Sequence, residues 1–204
     1  MPGKTTGLLV AIGLGMALAA APASAQNKEL ITGAPAEILA MTCAGCHGPD
    51  GASGGPATPN IGGLSKEYFL EVMEGFASGE VPSTIMGRIA KGYTKEEIAL
   101  LADYFSKKPY VPAKQAFDAE LAKKGKKLHE KYCEKCHSEG GKKPEEDSGI
   151  LAGQWMPYLH FTLTDFLNGD REMTKKMKRK VEKLKAKEGM AGFEALLNYY
   201  ASQQ

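Results

Sequence analysis

No sign of charge dominates this sequence: 26 Lys and Arg stand against 24 Asp and Glu in 204 residues. That balance removes the bulk-charge case for nucleic-acid binding and for an acidic polyelectrolyte partner. After the first 25 residues no stretch is long and apolar enough to cross a bilayer. No segment alternates apolar and polar side chains convincingly, so there is no strand signal and no βαβ context for a thioredoxin-like redox site. Cysteine is scarce. There are four, and none lies outside two short motifs.

What is present begins with a separate object, residues 1–25. Lys4 supplies a positive start, Leu8 to Ala21 form an apolar run, and Ala23-Ser24-Ala25 is a small-x-small cleavage signal before Gln26. This pattern predicts a secretory signal peptide. The apolar run is short for a membrane anchor. The mature chain is therefore expected to be soluble and extracytoplasmic, in the periplasm.

Cys43-Ala44-Gly45-Cys46-His47 and Cys133-Glu134-Lys135-Cys136-His137 are two copies of C-x-x-C-H, the pattern of c-type haem attachment. Two thiols three positions apart on a helical turn can each add to one haem vinyl group. The His directly after the second Cys then sits beneath the iron and ligates it. In an oxidising compartment four cysteines could instead pair as two disulfides. A zinc site would need both pairs to converge, and usually lacks the adjacent His. Two copies behind a signal peptide favour two covalently bound haem c groups, on Cys43 and Cys46 and on Cys133 and Cys136, with His47 and His137 as iron ligands. The haem propionates would push the loaded protein towards net negative charge.

The motifs sit in an internal repeat. An offset of 90 aligns Cys43, Cys46 and His47 with Cys133, Cys136 and His137, and also Gly63 with Gly153, Tyr68 with Tyr158, Phe76 with Phe166 and Gly79 with Gly169. Near the ends the offset slips, and Leu101-Ala102-Asp103-Tyr104-Phe105 matches Leu196-Leu197-Asn198-Tyr199-Tyr200. The predicted architecture is all-α: two tandem class I cytochrome c-like domains related by duplication. They cover residues 26–108 and 117–204, with a linker at 109–116 that Pro109 and Pro112 stiffen. Pro35 opens a helix that runs into the first motif. Ser65 caps a helix over 66–77. Thr94 to Glu97 is a capping box before a helix over 98–106, with an apolar stripe of Ile98, Leu101, Ala102 and Phe105. Phe193, Leu196, Leu197 and Tyr200 are its counterpart.

Each iron needs a sixth ligand or an open position. Met86, 39 residues after His47, precedes the Thr94 helix and is preferred over Met73, which falls mid-helix where Met usually packs. Thioether sulfur stabilises ferrous iron. In the second half Met173 and Met177 compete. Met177-Lys178-Arg179 echoes Met86-Gly87-Arg88, so Met177 is preferred. His160 reads as a partly buried or surface helix residue, and His129 as a solvent-side residue on the approach helix. In class I cytochromes c, which each half resembles, a Pro in a similar context presents its carbonyl to the haem His; the resemblance gives that part to Pro59 for His47, while the repeat equivalent Gly149 lacks the Pro. The Lys/Arg-dense stretch from Thr174 to Lys187 reads as a solvated helix face, because Glu182 and Glu188 are interspersed.

Over essentially the whole mature chain the sequence resembles the dihaem cytochrome subunit of flavocytochrome c sulfide dehydrogenase. The match is carried by Val72 to Phe76, Ser83 to Tyr93, Lys127 to His137, Ile150 to Trp155 and the ending Tyr199 to Gln204. Ile150 to Trp155 includes a Leu-Ala-Gly-Gln stretch shared with free dihaem cytochromes c, so the Ser83 block and the C-terminus separate the two groups. The resemblance implies a periplasmic partner subunit carrying FAD, where sulfide is oxidised. This chain would not be an enzyme by itself. It would take electrons from the flavoprotein and pass them through both haems to a small soluble cytochrome or similar acceptor. The competing readings are a free dihaem carrier for a terminal oxidase or reaction centre, and a haem enzyme. The haem enzyme needs an open, His/His or His/Cys-ligated iron. No spare Cys exists, and a Met is available for each haem.

Overall fold

The structure is a computed structural model that describes residues 33–204, together with Met1 and Gly3. The expected signal peptide lies outside the described residues. The described residues are helical and contain no strand, only an isolated bridge between Glu145 and Ser148. The first half holds α1 (Ala36–Met41), α2 (Ala44–His47), α3 (Lys66–Ser78), α4 (Met86–Ala90) and α5 (Lys95–Ser106). The second holds α6 (Ala119–Tyr132), α7 (Ser138–Gly141), α8 (Met156–Asn168) and α9 (Lys175–Ala201).

Local chemistry sets most of the helix ends. Ser65 accepts the Tyr68 N–H at the start of α3, and Gly79 ends that helix in the left-handed region at φ 89°. Thr94 and Glu97 close both bonds of the predicted capping box. Thr174 accepts the Met177 N–H at the start of α9. That helix is broken at Gly189, at φ 62° and ψ −159°. The first helix differs from expectation. Pro35 is its N-cap rather than its first turn, and it stops at Thr42 before the first motif forms its own turn.

Each half has its own core. Leu39, Phe69, Met73, Ile98, Leu101 and Phe105 build the first, where Phe69 stacks on Phe105 at 5.6 Å between ring centres. Leu128, Tyr132, Leu159, Phe193, Leu196 and Tyr200 build the second. Burying one such side chain stabilises by roughly 1.5–3 kcal/mol. In both halves the helix before the motif meets the last helix: α1 against α5, and α6 against α9. The second crossing is close. A Cβ on Gly125 would lie 1.9 Å from the Ala195 carbonyl oxygen, so only glycine fits there.

The halves are clasped by polar groups. Gln154 accepts the Asn60 N–H at 2.9 Å and donates to the Asn60 carbonyl at 3.0 Å. The Trp155 indole donates to the Ser53 carbonyl at 3.2 Å, and the Ser65 hydroxyl donates to the Glu145 carbonyl at 2.7 Å. The segment between α5 and α6 joins in, because Asn60 donates to Val111 O and Ala113 donates to Gly153 O.

Candidate haem-binding sites

In the first half one helical turn sets the motif. The N–H groups of Cys46 and His47 both donate to the Cys43 carbonyl. The chain then reverses at Gly48, at φ 72°, where a Cβ would sit 2.0 Å from the Ala52 carbonyl oxygen. His47 is only 7 % exposed. Its Nδ1 lies 2.9 Å from the Pro59 carbonyl oxygen, which can only accept. Nδ1 therefore carries the proton, and Nε2 keeps the lone pair that a metal takes. Burial pushes the imidazole pKa down, opposed by the Pro59 bond. Burial favours the neutral ring and the Pro59 bond selects its tautomer, which together suit an iron ligand.

The second motif has the same backbone turn: Cys136 and His137 donate to the Cys133 carbonyl. His137 is also held below its usual pKa, first by burial and then by the nearby His129. Its Nδ1, however, is buried with no hydrogen-bond partner. The Gly149 carbonyl does not take the part that Pro59 plays. The sequence difference Pro59/Gly149 thus has a structural counterpart.

All four cysteines are free thiols, so no disulfide competes with haem attachment. Each thiol is the precursor of one thioether. Burial raises the Cys43 thiol above its usual range and pushes Cys133 up to about 11. Among the described residues no group of three or more His, Cys, Asp or Glu side chains is arranged to hold a metal ion, so the two pairs do not converge as a zinc site would require. The donor set instead fits two separate haems: in each half, two thiols and an imidazole held below its usual pKa border an apolar core.

Met86 begins α4 and packs against the first core, and the following Gly87 N–H is fixed on Ser83 Oγ at 2.7 Å. Met73 is 6 % exposed within α3, as a core residue. Met173 and Met177 are both half-buried and lie on either side of Thr174. His160 is exposed on α8.

His129 overturns the expectation made for it. It is fully buried, at 0 % exposure, not solvent-side. Its Nε2 meets Glu134 Oε2 at 2.6 Å and its Nδ1 meets the Tyr200 hydroxyl at 3.0 Å. Glu134 Oε2 also accepts the Gly140 N–H. The charged neighbours of His129 on α6 disguised it. The one available signal was the repeat, which places it opposite the buried Leu39.

Charge is divided unevenly between the halves. Residues 33–108 carry six Lys and Arg against nine Asp and Glu, whereas residues 117–204 carry seventeen against fourteen. The excess in the second half comes from the exposed first part of α9.

Two imidazoles, His47 buried and His137 half-buried, each placed by a turn that carries two thiols, define a c-type cytochrome with two haem-binding units. The cytochrome subunit of sulfide dehydrogenase from Chlorobaculum tepidum is 47% identical over 98 residues, spanning 48% of this chain and 87% of that protein. The chain belongs to the cytochrome family that includes that subunit and cytochrome c4. Cytochrome c4 of Azotobacter vinelandii is 31% identical over 184 residues, covering 80% of this chain and 81% of the relative. The crystal structure of reduced cytochrome c4 from Pseudomonas stutzeri aligns with a TM-score of 0.69 at 26% identity, over 83% of this chain and 97% of that one. No protein-family model matches. The protein binds two haem c groups covalently and transfers electrons. No helix among the described residues is long and apolar enough to cross a membrane.

Proposed function

We propose that this chain is the electron-transfer subunit of a periplasmic sulfide:cytochrome c oxidoreductase, receiving electrons from an FAD-containing flavoprotein subunit. The observation that carries this reading is the strength of the match to the sulfide dehydrogenase subunit, well above that to the cytochromes c4. The chemistry agrees. Oxidation of sulfide to zero-valent sulfur releases two electrons at once, and each haem iron accepts one. A dihaem chain empties a reduced flavin in one encounter. The electrons then leave singly to a small soluble cytochrome or similar acceptor.

In this reading the haem domains run to residue 108 and from residue 117, joined by 109–116. His47 and Met86 ligate the first iron, and His137 and Met177 the second. The Pro59 bond supports the role of His47, and the position of Met86 at the head of α4 against the core supports its role. Met177 is preferred over Met173 because Met177-Lys178-Arg179 echoes Met86-Gly87-Arg88, and its N–H is fixed by the Thr174 cap.

The test is gentle purification from the periplasm, followed by addition of sulfide. Co-elution with a larger flavin-bearing chain, and haem reduction by sulfide, is the expected result. A lone dihaem protein inert to sulfide would instead support a free carrier. That second reading is favoured by one observation: the c4 likeness runs through both halves, whereas the sulfide dehydrogenase match spans 98 residues.

A further inference from the structure

The clasp between the halves touches the first iron site through a single peptide group. The Pro59 carbonyl that accepts from His47 Nδ1 and the Asn60 N–H that donates to Gln154 Oε1 belong to the same peptide unit. The unit is held on both sides, at 2.9 Å each. Its surroundings are dry: Asn60 is 2 % exposed and Gln154 3 %. The Gln154 amide has one orientation, because its Oε1 faces two backbone donors, Asn60 N–H and Trp155 N–H, and its Nε2 faces the Asn60 carbonyl. Asn60 is fixed as well, since its Oδ1 accepts the Ser53 N–H and its Nδ2 donates to Val111 O.

We infer that Gln154, in the second half, is a positioning residue for the first haem, setting its reduction potential through the Pro59–Asn60 peptide. An acceptor on the N–H of a peptide polarises that peptide and makes its carbonyl a stronger acceptor, an effect of roughly 10–30% per bond. Here the strengthened carbonyl is the one bound to His47. A stronger bond at Nδ1 gives the ring more imidazolate character and raises its basicity as a ligand. A more basic ligand stabilises ferric over ferrous iron. Gln154 therefore lowers the potential of the first haem. The second haem lacks this control, because His137 Nδ1 has no partner. The two halves are thus coupled without a conformational change: whatever disturbs the clasp is felt as a change in driving force at the first iron.

The experiment uses the holoprotein in a redox titration followed by NMR, which resolves the two haems by their hyperfine-shifted signals. Gln154→Leu removes the acceptor from Asn60 N–H. The first haem should shift a few-fold towards the ferrous form at fixed ambient potential, where tenfold corresponds to about 59 mV for one electron. The His47 ring N–H resonance should move with it, while the second haem stays in place. Gln154→Glu keeps an acceptor at the same position and should restore a low potential. Trp155→Phe removes a different bond across the same interface, to Ser53, and should leave the first potential unchanged. The inference is overturned if Gln154→Leu leaves the first haem unmoved or shifts both haems equally. It also fails if Trp155→Phe moves the first haem as much, since loosening of the interface would then be the cause.

Discussion

The two halves fill the same spot, where the helix before the motif crosses the last helix, with opposite chemistry. In the first half Leu39 and Phe105 occupy it, and the contact is apolar. In the second, the equivalent His129 and Tyr200 are joined with Glu134 in a hydrogen-bonded chain. A duplicated fold thus tolerates either a dry contact or a satisfied polar network at its crossing. It does not tolerate a half-finished network, because a buried polar group without a partner costs about 1–3 kcal/mol. The imidazoles of the two motifs differ in the reverse sense: the first is tethered to Pro59 and the second is not.

The largest change that would break this comparison is removal of one haem. Cys133→Ser with Cys136→Ser should reduce the haem content per chain from two to one, as measured by pyridine haemochrome. The first half should keep its spectrum, since its core is its own. Next in size is loss of an iron–sulfur bond. Met86→Leu and Met177→Leu should each remove about half of the sulfur-to-ferric charge-transfer absorbance, in keeping with one bond per haem. Met173→Leu should leave it intact. If Met173→Leu removes the band and Met177→Leu does not, the second ligand is Met173.

Exchange of the crossing residues sharpens the contrast at smaller magnitude. Leu39→His places an imidazole among apolar side chains with no partner, and should cost about 3 kcal/mol in denaturant unfolding of the holoprotein. His129→Leu removes a network whose Glu134 still reaches water, and should cost roughly 1–2 kcal/mol. Equal costs for the two changes would mean that the polar network adds nothing of its own. The smallest effect is at the ring N–H groups. That of His47, bonded to a carbonyl, should exchange with solvent more slowly than that of His137 in NMR of the reduced protein.

The sequence made the local features legible and hid the distant ones. Ser65, Thr94 and Glu97 act within a single helical turn, so their caps could be read directly. The motif cysteines and histidines, likewise, are set by one turn of backbone. Pro59 was legible only through the likeness to class I cytochromes c, in which a Pro in a similar context holds the motif His. The clasp was not, because Asn60 and Gln154 are 94 residues apart and neither amide reveals its partner. His129 was misread for a related reason. Lys126, Lys127, Glu130 and Lys131 give its helix a solvated look, while the residue that buries it, Tyr200, lies 71 positions on. The Gly189 break in α9 was also missed, although glycine within a helical pattern is a known point of interruption.

The uneven charge of the halves has a consequence for encounters. A body acidic at one end and basic at the other carries a permanent electric dipole along its length, and the haem propionates, shared by both ends, do not cancel it. In the field of a charged partner such a molecule experiences a torque before contact, and it arrives with one end leading. An electron carrier with two ends and two metal centres then has a built-in sense of direction: a negatively charged redox partner is offered the second haem, and a positively charged one the first.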